Sequence, residues 1–166
     1  MTPHGETVDR TDEWQRLREQ YLRPASERPA SAARGVHHLA LLSSSVPRTI
    51  EFYQDLLEFP LTELFENRDY TGSTHFFFDI GNGNSLAFFD FPGLDLGPYR
   101  EVLGSMHHLA ISVTPEKHAH LKQKLLDAGV TIDFDYETSI YFSGPDGERL
   151  ELIADELGFM YGADIG

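Results

Sequence analysis

One five-residue word occurs twice in this chain. His37-His38-Leu39-Ala40-Leu41 returns as His107-His108-Leu109-Ala110-Ile111. Downstream of each copy the structural signals come in the same order. A repeat of this length, with matching element order, means two copies of one supersecondary unit whose apolar faces must be covered together.

The first copy predicts a strand over 35–42. Ser43-Ser44-Ser45-Val46-Pro47 then supplies helix-start chemistry. Ile50, Tyr53, Leu56 and Leu57 lie on one stripe of a helix over 49–57. Strands come next over 60–66, 74–80 and 84–91, the last two joined by the tight-turn signal Gly81-Asn82-Gly83. The second copy predicts a strand over 104–113. A helix opens at Thr114-Pro115-Glu116 and is stopped by Gly129. Strands over 131–136, 139–142 and 149–153 complete it, with Pro145-Asp146-Gly147 turning the last pair. The expected fold class is α+β: two tandem βαβββ modules form a cupped mixed sheet around a metal site, with the helices outside. Module one spans 34–94, module two 104–156 and a C-terminal tail 157–166. Residues 1–33 read as an arm, a short helix over 12–21 and then a Pro- and Ala-containing linker.

Composition narrows the function. Hydrophobic residues make up 40% and charged residues 24%, a globular profile. The formal charge of −14 disfavours nucleic acid and anionic membrane as partners. No run approaches the ~18 apolar residues of a membrane helix, and the first residues lack a secretory pattern, so the expected location is cytoplasmic. The absence of cysteine removes disulfides, thiolate metal sites and thiol nucleophiles, leaving eight His and the carboxylates as metal ligands.

Strand side chains alternate between faces. One face of the first strand carries His37, Leu39 and Leu41, and the other His38, Ala40 and Leu42. In the second copy His107, Leu109 and Ile111 oppose His108, Ala110 and Ser112. The bulky face suits packing on a helix, and the face with small residues leaves room for an ion and a ligand. In the last strand of each module, Leu150 and Leu152 pack while Glu151 and Ile153 face the cavity; Leu86 and Phe88 pack while Ala87 and Phe89 face it. Four equivalent positions therefore read His38, Ala87, His108 and Glu151. Two imidazoles and one carboxylate make a metal site with open positions, the arrangement of catalytic ions and of non-haem Fe(II) oxygenases. The other reading is buried, hydrogen-bonded strand histidines. A Glu in a sheet core, costly unless paired, argues for the metal. Ala40, Ala87, Phe89 and Ala110 would line the substrate pocket.

At these residues the chain resembles the vicinal oxygen chelate superfamily, which includes glyoxalase I, bleomycin-binding and fosfomycin-resistance proteins and extradiol dioxygenases. The resemblance covers about 34–156. It rests on Val36-His37-His38-Leu39-Ala40-Leu41, on Phe52-Tyr53 and Leu56-Leu57, and on the run Tyr141-Phe142-Ser143-Gly144-Pro145-Asp146-Gly147-Glu148-Arg149-Leu150-Glu151-Leu152. It implies a metal-dependent enzyme. Glyoxalase I-like members place a carboxylate or Gln where this chain has Ala87, so the three-ligand set points to extradiol dioxygenases and fosfomycin-modifying enzymes. Tyr141, ten residues before Glu151, matches a tyrosine of extradiol enzymes and would hydrogen-bond a developing anion; it reads equally as a cavity-wall tyrosine. The catalytic His expected shortly before the second-module strand has no match around 90–97.

Three functional readings result. The first is an Fe(II) dioxygenase that takes O2 and a catechol-like substrate with vicinal oxygens. The second is a glyoxalase-like lyase or isomerase, or a fosfomycin-type transferase, with Mn, Ni or Zn. The third is a non-catalytic drug-binding protein. The resemblance also implies a homodimer and allows the modules to pair within one chain or between two. His118 and His120, on a polar helix, read as solvated, and His75, at a strand start, as a surface residue or else as one lining the cavity. His4 falls in the arm. The tail from Leu157 to Tyr161 either closes the cavity mouth or packs on an edge.

Overall fold

A computed structural model describes residues 8–165, so His4 lies outside the described residues. The chain divides into two units, one up to Gly35 and one from Val36 onward. In the first, α1 (Thr11–Tyr21) is followed by a single 3-10 turn over Ala25–Glu27, and α1 buries no residue. Asp9 receives both the backbone N–H and the hydroxyl of Thr11 at the helix start.

The second unit contains the repeat. Module one runs β1 (His38–Leu42), α2 (Val46–Ile50), β2 (Leu61–Glu66), β3 (Thr74–Asp79) and β4 (Ser85–Phe89). Module two runs β5 (Leu109–Ser112), α3 (Pro115–Asp127), β6 (Ile132–Asp135), β7 (Ser139–Ser143) and β8 (Arg149–Ile153). The sheets are ordered β1-β4-β3-β2 and β5-β8-β7-β6. In each, the first and last strands are parallel and the remaining pairs antiparallel. Two βαβββ modules of identical topology are thus present. The first helix differs from expectation in its second half. Residues Glu51–Leu56 wind as a π-helix, closed by Leu57 N–H to the Phe52 carbonyl at 3.0 Å, which keeps Tyr53 and Leu57 both buried. A two-stranded hairpin, β9 (Phe159–Met160) with β10 (Ala163–Asp164), forms the tail.

One hydrophobic cluster joins both modules. Tyr53, Leu57, Phe76, Phe78, Leu86 and Phe88 come from module one, and Ile111, Leu121, Leu125, Ile140, Phe142, Leu150 and Leu152 from module two. The strand residues among them are the helix-facing ones of each sheet, and Tyr53, Leu57, Leu121 and Leu125 come from the helical segments that cover them. Fully burying a side chain of this size contributes roughly 1.5–3 kcal/mol. Polar contacts brace the same junction. Asp146, in the β7–β8 turn, accepts from the Ser44 N–H at 2.9 Å, the Ser44 hydroxyl at 2.5 Å and Arg48 at 2.6 Å. The Tyr53 hydroxyl donates to Glu148 at 2.7 Å. Because the modules share their helix-bearing faces, the other face of each sheet, the cup, is turned away from the core. β1 shows this as an alternation: His38, Ala40 and Leu42 are exposed while Leu39 and Leu41 are half-buried.

Candidate metal centre

Each repeated word begins with two histidines, and the first braces the second. His107 Nδ1 lies 2.6 Å from His108 Nδ1, and His37 Nδ1 2.8 Å from His38 Nδ1. In each pair one ring donates and the other accepts, so Nδ1 is engaged and Nε2 of His38 and His108 is the nitrogen turned outward from the pair. Holding a ligand imidazole by its other nitrogen is how metal sites set its tautomer and orientation.

β8 brings Glu151 beside His108. The ladder sets Glu151 opposite Ala110 on β5 and opposite Tyr141 on β7, so all three share the cup face. His108 Nε2 stands 3.0 Å from Glu151 Oε2. The other carboxylate oxygen accepts from the Ser139 hydroxyl, also on the cup face. Glu151 is 3% exposed, and among the described residues its ion-pair partner is His108 alone. The Tyr141 ring lies 5.4 Å from that of His108. Burial, then the hydrogen bond and charge of Glu151, push the Tyr141 phenol up to about 12.

This donor set fits a divalent ion. Imidazole and carboxylate ligands sit ~2.0–2.2 Å from such an ion, so two of them at a right angle are ~3 Å apart. That is the separation of His108 Nε2 and Glu151 Oε2. A carboxylate this buried, paired with an imidazole rather than with a Lys or Arg among the described residues, also calls for a cation.

His38 does not join them. Among the described residues no three His, Asp or Glu side chains converge closely enough to hold an ion. The sequence left open whether the two modules pair within one chain or between two; here the shared core lies on the helix side of both sheets, and His38 stands on the other face of module one. His38 lies in the cup of module one, 6.2 Å from Phe77 ring to ring.

The predicted pocket positions divide in the same way. Ala110 is exposed beside Glu151. Ala40 is exposed opposite Ala87. Ala87 itself is 0% exposed, with Phe77 directly across the ladder, so it offers neither a ligand nor open surface. Phe89 walls the cup and stacks on His75 at 3.8 Å. His75 is therefore not the surface residue its position suggested. It is half-buried among Phe65, Phe77 and Phe89, its Nε2 is buried without a partner among the described residues, and burial together with the His38 charge lowers its pKa.

The reading of His118 as solvated also needs correction, whereas His120 is exposed as expected. His118 is buried, with Nε2 unpartnered among the described residues and its pKa lowered by burial. His120 lies 2.6 Å from Glu58, which also binds Lys117 at 2.7 Å and Lys124 at 3.2 Å. The tail hairpin leaves Tyr161 93% exposed. Sequence reasoning missed His37, His107 and Ser139 as supports of the site. The doubled histidine in both copies was the available signal for the first two; nothing in the sequence marks Ser139.

Comparison with known proteins agrees with this architecture. MhqA of Bacillus subtilis (strain 168), whose name describes a ring-cleaving dioxygenase, is 25% identical over 140 residues, 79% of this chain and 43% of its own length. The chain thus spans less than half of that relative. The metallothiol transferase FosB of Lysinibacillus sphaericus (strain C3-41) is 26% identical over 129 residues, 70% of this chain and 79% of its own. The fosfomycin resistance protein FosX of Listeria monocytogenes, in complex with Mn(II) and sulfate, shares the fold with a TM-score of 0.56. It is 21% identical, covering 75% of this chain and 95% of FosX. The family model of the Glyoxalase/Bleomycin resistance protein/Dioxygenase superfamily matches residues 35–152, and the chain belongs to that superfamily.

Proposed function

We propose that the protein is a metal-dependent enzyme in which His38, His108 and Glu151 hold one divalent ion, His38 coming from module one of one copy and His108 with Glu151 from module two of another. The observation that carries this reading is the 3.0 Å approach of His108 Nε2 to Glu151 Oε2, each ligand held from behind by His107 or Ser139. The open cup of each module supports pairing between copies, and so a homodimer. Among the chemistries of the family, an Fe(II)-dependent, extradiol-type dioxygenase acting with O2 on a catechol-like substrate fits the three-ligand set with Ala87 in the fourth position. Bound there, the ion supplies positive charge and open positions for two vicinal oxygens. The chain supplies the rest. Tyr141, kept protonated well above neutral pH, donates to an oxygen that gains negative charge. Phe65, Phe77 and Phe89 present an aromatic wall to a planar ring and exclude water. A transferase using Mn, Ni or Zn is the second reading, and the match to FosB over 70% of the chain favours it.

Two measurements test this. Metal analysis of the purified protein is followed by oxygen uptake with catechols in the presence of Fe(II). Bound metal with oxygen uptake is expected for the dioxygenase. Bound metal without uptake favours the transferase, and a protein that binds none refutes the site. Mixing inactive His38→Ala and His108→Ala chains then tests where the site lies. Sites shared between copies leave one intact site in each mixed dimer, so about a quarter of full activity returns on statistical mixing. Sites within one chain return none.

A further inference from the structure

The eight strands of the two sheets and the tail hairpin carry a single Lys or Arg among the described residues, Arg149. In a chain of net charge −14, that one cation sits two positions before Glu151 on the same strand, and so on the same cup face. Its guanidinium carbon lies 5.3 Å from the Phe134 ring centroid and 5.2 Å from that of Tyr141. The two rings hold it in place from the side. Its one ionic neighbour among the described residues is Glu101 at 3.6 Å, beyond hydrogen-bond reach. The side chain is only 18% exposed, yet none of its five N–H donors makes a hydrogen bond to a described residue. A fixed, half-buried, unspent guanidinium beside a metal centre is a receptor for an oxyanion.

We propose that Arg149 binds a carboxylate carried by the substrate, so that the substrate class is a carboxylated vicinal diol rather than a neutral one. This rests on the metal reading of the same cup. Two strand positions set the backbones of Arg149 and Glu151 roughly 6–7 Å apart, a spacing on the order of a six-membered ring bearing oxygens at one end and a carboxylate at the other. A single guanidinium, with no second Lys or Arg on the strands or the tail hairpin among the described residues, suits a planar monoanion, which it grips through two parallel N–H bonds. A phosphonate dianion would leave a charge uncompensated. The competing role, in which Arg149 only steadies Tyr141 by stacking, predicts no preference for charge.

Calorimetric titration of the full-length protein, with and without Fe(II), separates these possibilities. Benzoate and benzamide have no vicinal oxygens and report Arg149 alone. Benzoate should bind about tenfold more tightly than benzamide even without metal. Arg149→Gln should abolish that difference and Arg149→Lys keep part of it. Glu101→Gln, on the exposed side, should tighten benzoate several-fold by removing the competing carboxylate. With Fe(II), 3,4-dihydroxybenzoate should exceed catechol by a similar factor. Failure of the protein to bind metal, with the benzoate preference intact, refutes the metal reading and leaves the anion site standing. Equal binding of benzoate and benzamide, equal loss of both in Arg149→Gln, or no tightening in Glu101→Gln overturns the proposal.

Discussion

Gly144 is a glycine because a carboxyl group occupies the place of its side chain. A Cβ built there meets Glu148 Oε1 at 2.1 Å, Cδ at 2.3 Å and Cγ at 2.9 Å. Glu148 cannot yield cheaply. It is 6% exposed, it receives the Tyr53 hydroxyl at 2.7 Å, and its other oxygen accepts the Asp146 N–H at 2.9 Å. Gly144→Ala therefore expels the carboxyl and leaves the hydroxyl of a fully buried Tyr53 without a partner. Each buried group so orphaned costs about 1–3 kcal/mol, so the substitution should cost about 3–4 kcal/mol. That is a large part of the ~5–15 kcal/mol that holds a domain folded. Glu148→Ala removes the same two bonds and should cost about as much. The double variant has nothing left to clash, so it should lie within ~1 kcal/mol of Glu148→Ala, a coupling of about 2–3 kcal/mol. Urea unfolding followed by far-ultraviolet circular dichroism measures all four proteins. Fluorescence is the wrong probe, because the single tryptophan, Trp14, lies in the arm. Additive costs would refute the claim that the carboxyl is what requires the glycine.

The same carboxyl has its pKa raised by burial, so its protonated form favours the folded state. That stability is full below the ordinary carboxyl range and is lost as pH rises through the folded pKa. Glu148→Gln should flatten the fall when melting temperature is followed upward from about pH 4. Glu58 has the opposite sign. Hydrogen bonds from Lys117, His120 and Lys124 bring its pKa to about 2, so its contribution is present above the usual carboxyl range and lost as pH falls toward 2. Glu58→Gln should remove that acid limb. His107→Ala unpins His108 and should weaken metal binding ~10–100-fold by equilibrium dialysis while leaving the fold intact. Asp146→Ala cuts three bonds between the modules and should lower stability by about 1–2 kcal/mol in the same urea assay.

Element order and the faces of β1, β4, β5 and β8 were legible because period two and an internal repeat constrain each other. A one-residue error in either copy would have put a leucine where its twin has a histidine. The 3.0 Å neighbourhood of His108 and Glu151 comes from that parity, because parallel β5 and β8 bring Ala110 opposite Glu151. Periodicity does not carry which sheet faces meet. Leu39, Leu41, Leu150 and Leu152 read as core in any pairing of the modules, so nothing in the pattern distinguished a cup closed within the chain from one left open. His118 was misread for a related reason. It sits among lysines in sequence, but its helical position turns it inward with Leu121, three residues on, and Leu125, four residues further along the same face.

Register makes the two cups comparable position by position. Ser139, Tyr141 and Ser143 pair with Ile153, Glu151 and Arg149, as His75, Phe77 and Asp79 pair with Phe89, Ala87 and Ser85. The equivalents of Tyr141, Glu151 and Arg149 in module one are thus Phe77, Ala87 and Ser85. Module two holds the phenol, the carboxylate and the cation around His108, while module one holds His38 and His75 among the rings of Phe65, Phe77 and Phe89, with Glu63 and Asp79 on the same face. Divergence between the copies therefore left two complementary surfaces. On the reading proposed above, His38 of one copy would complete the pair formed by His108 and Glu151 of another, because the common core of a single chain lies on the opposite faces of its two sheets.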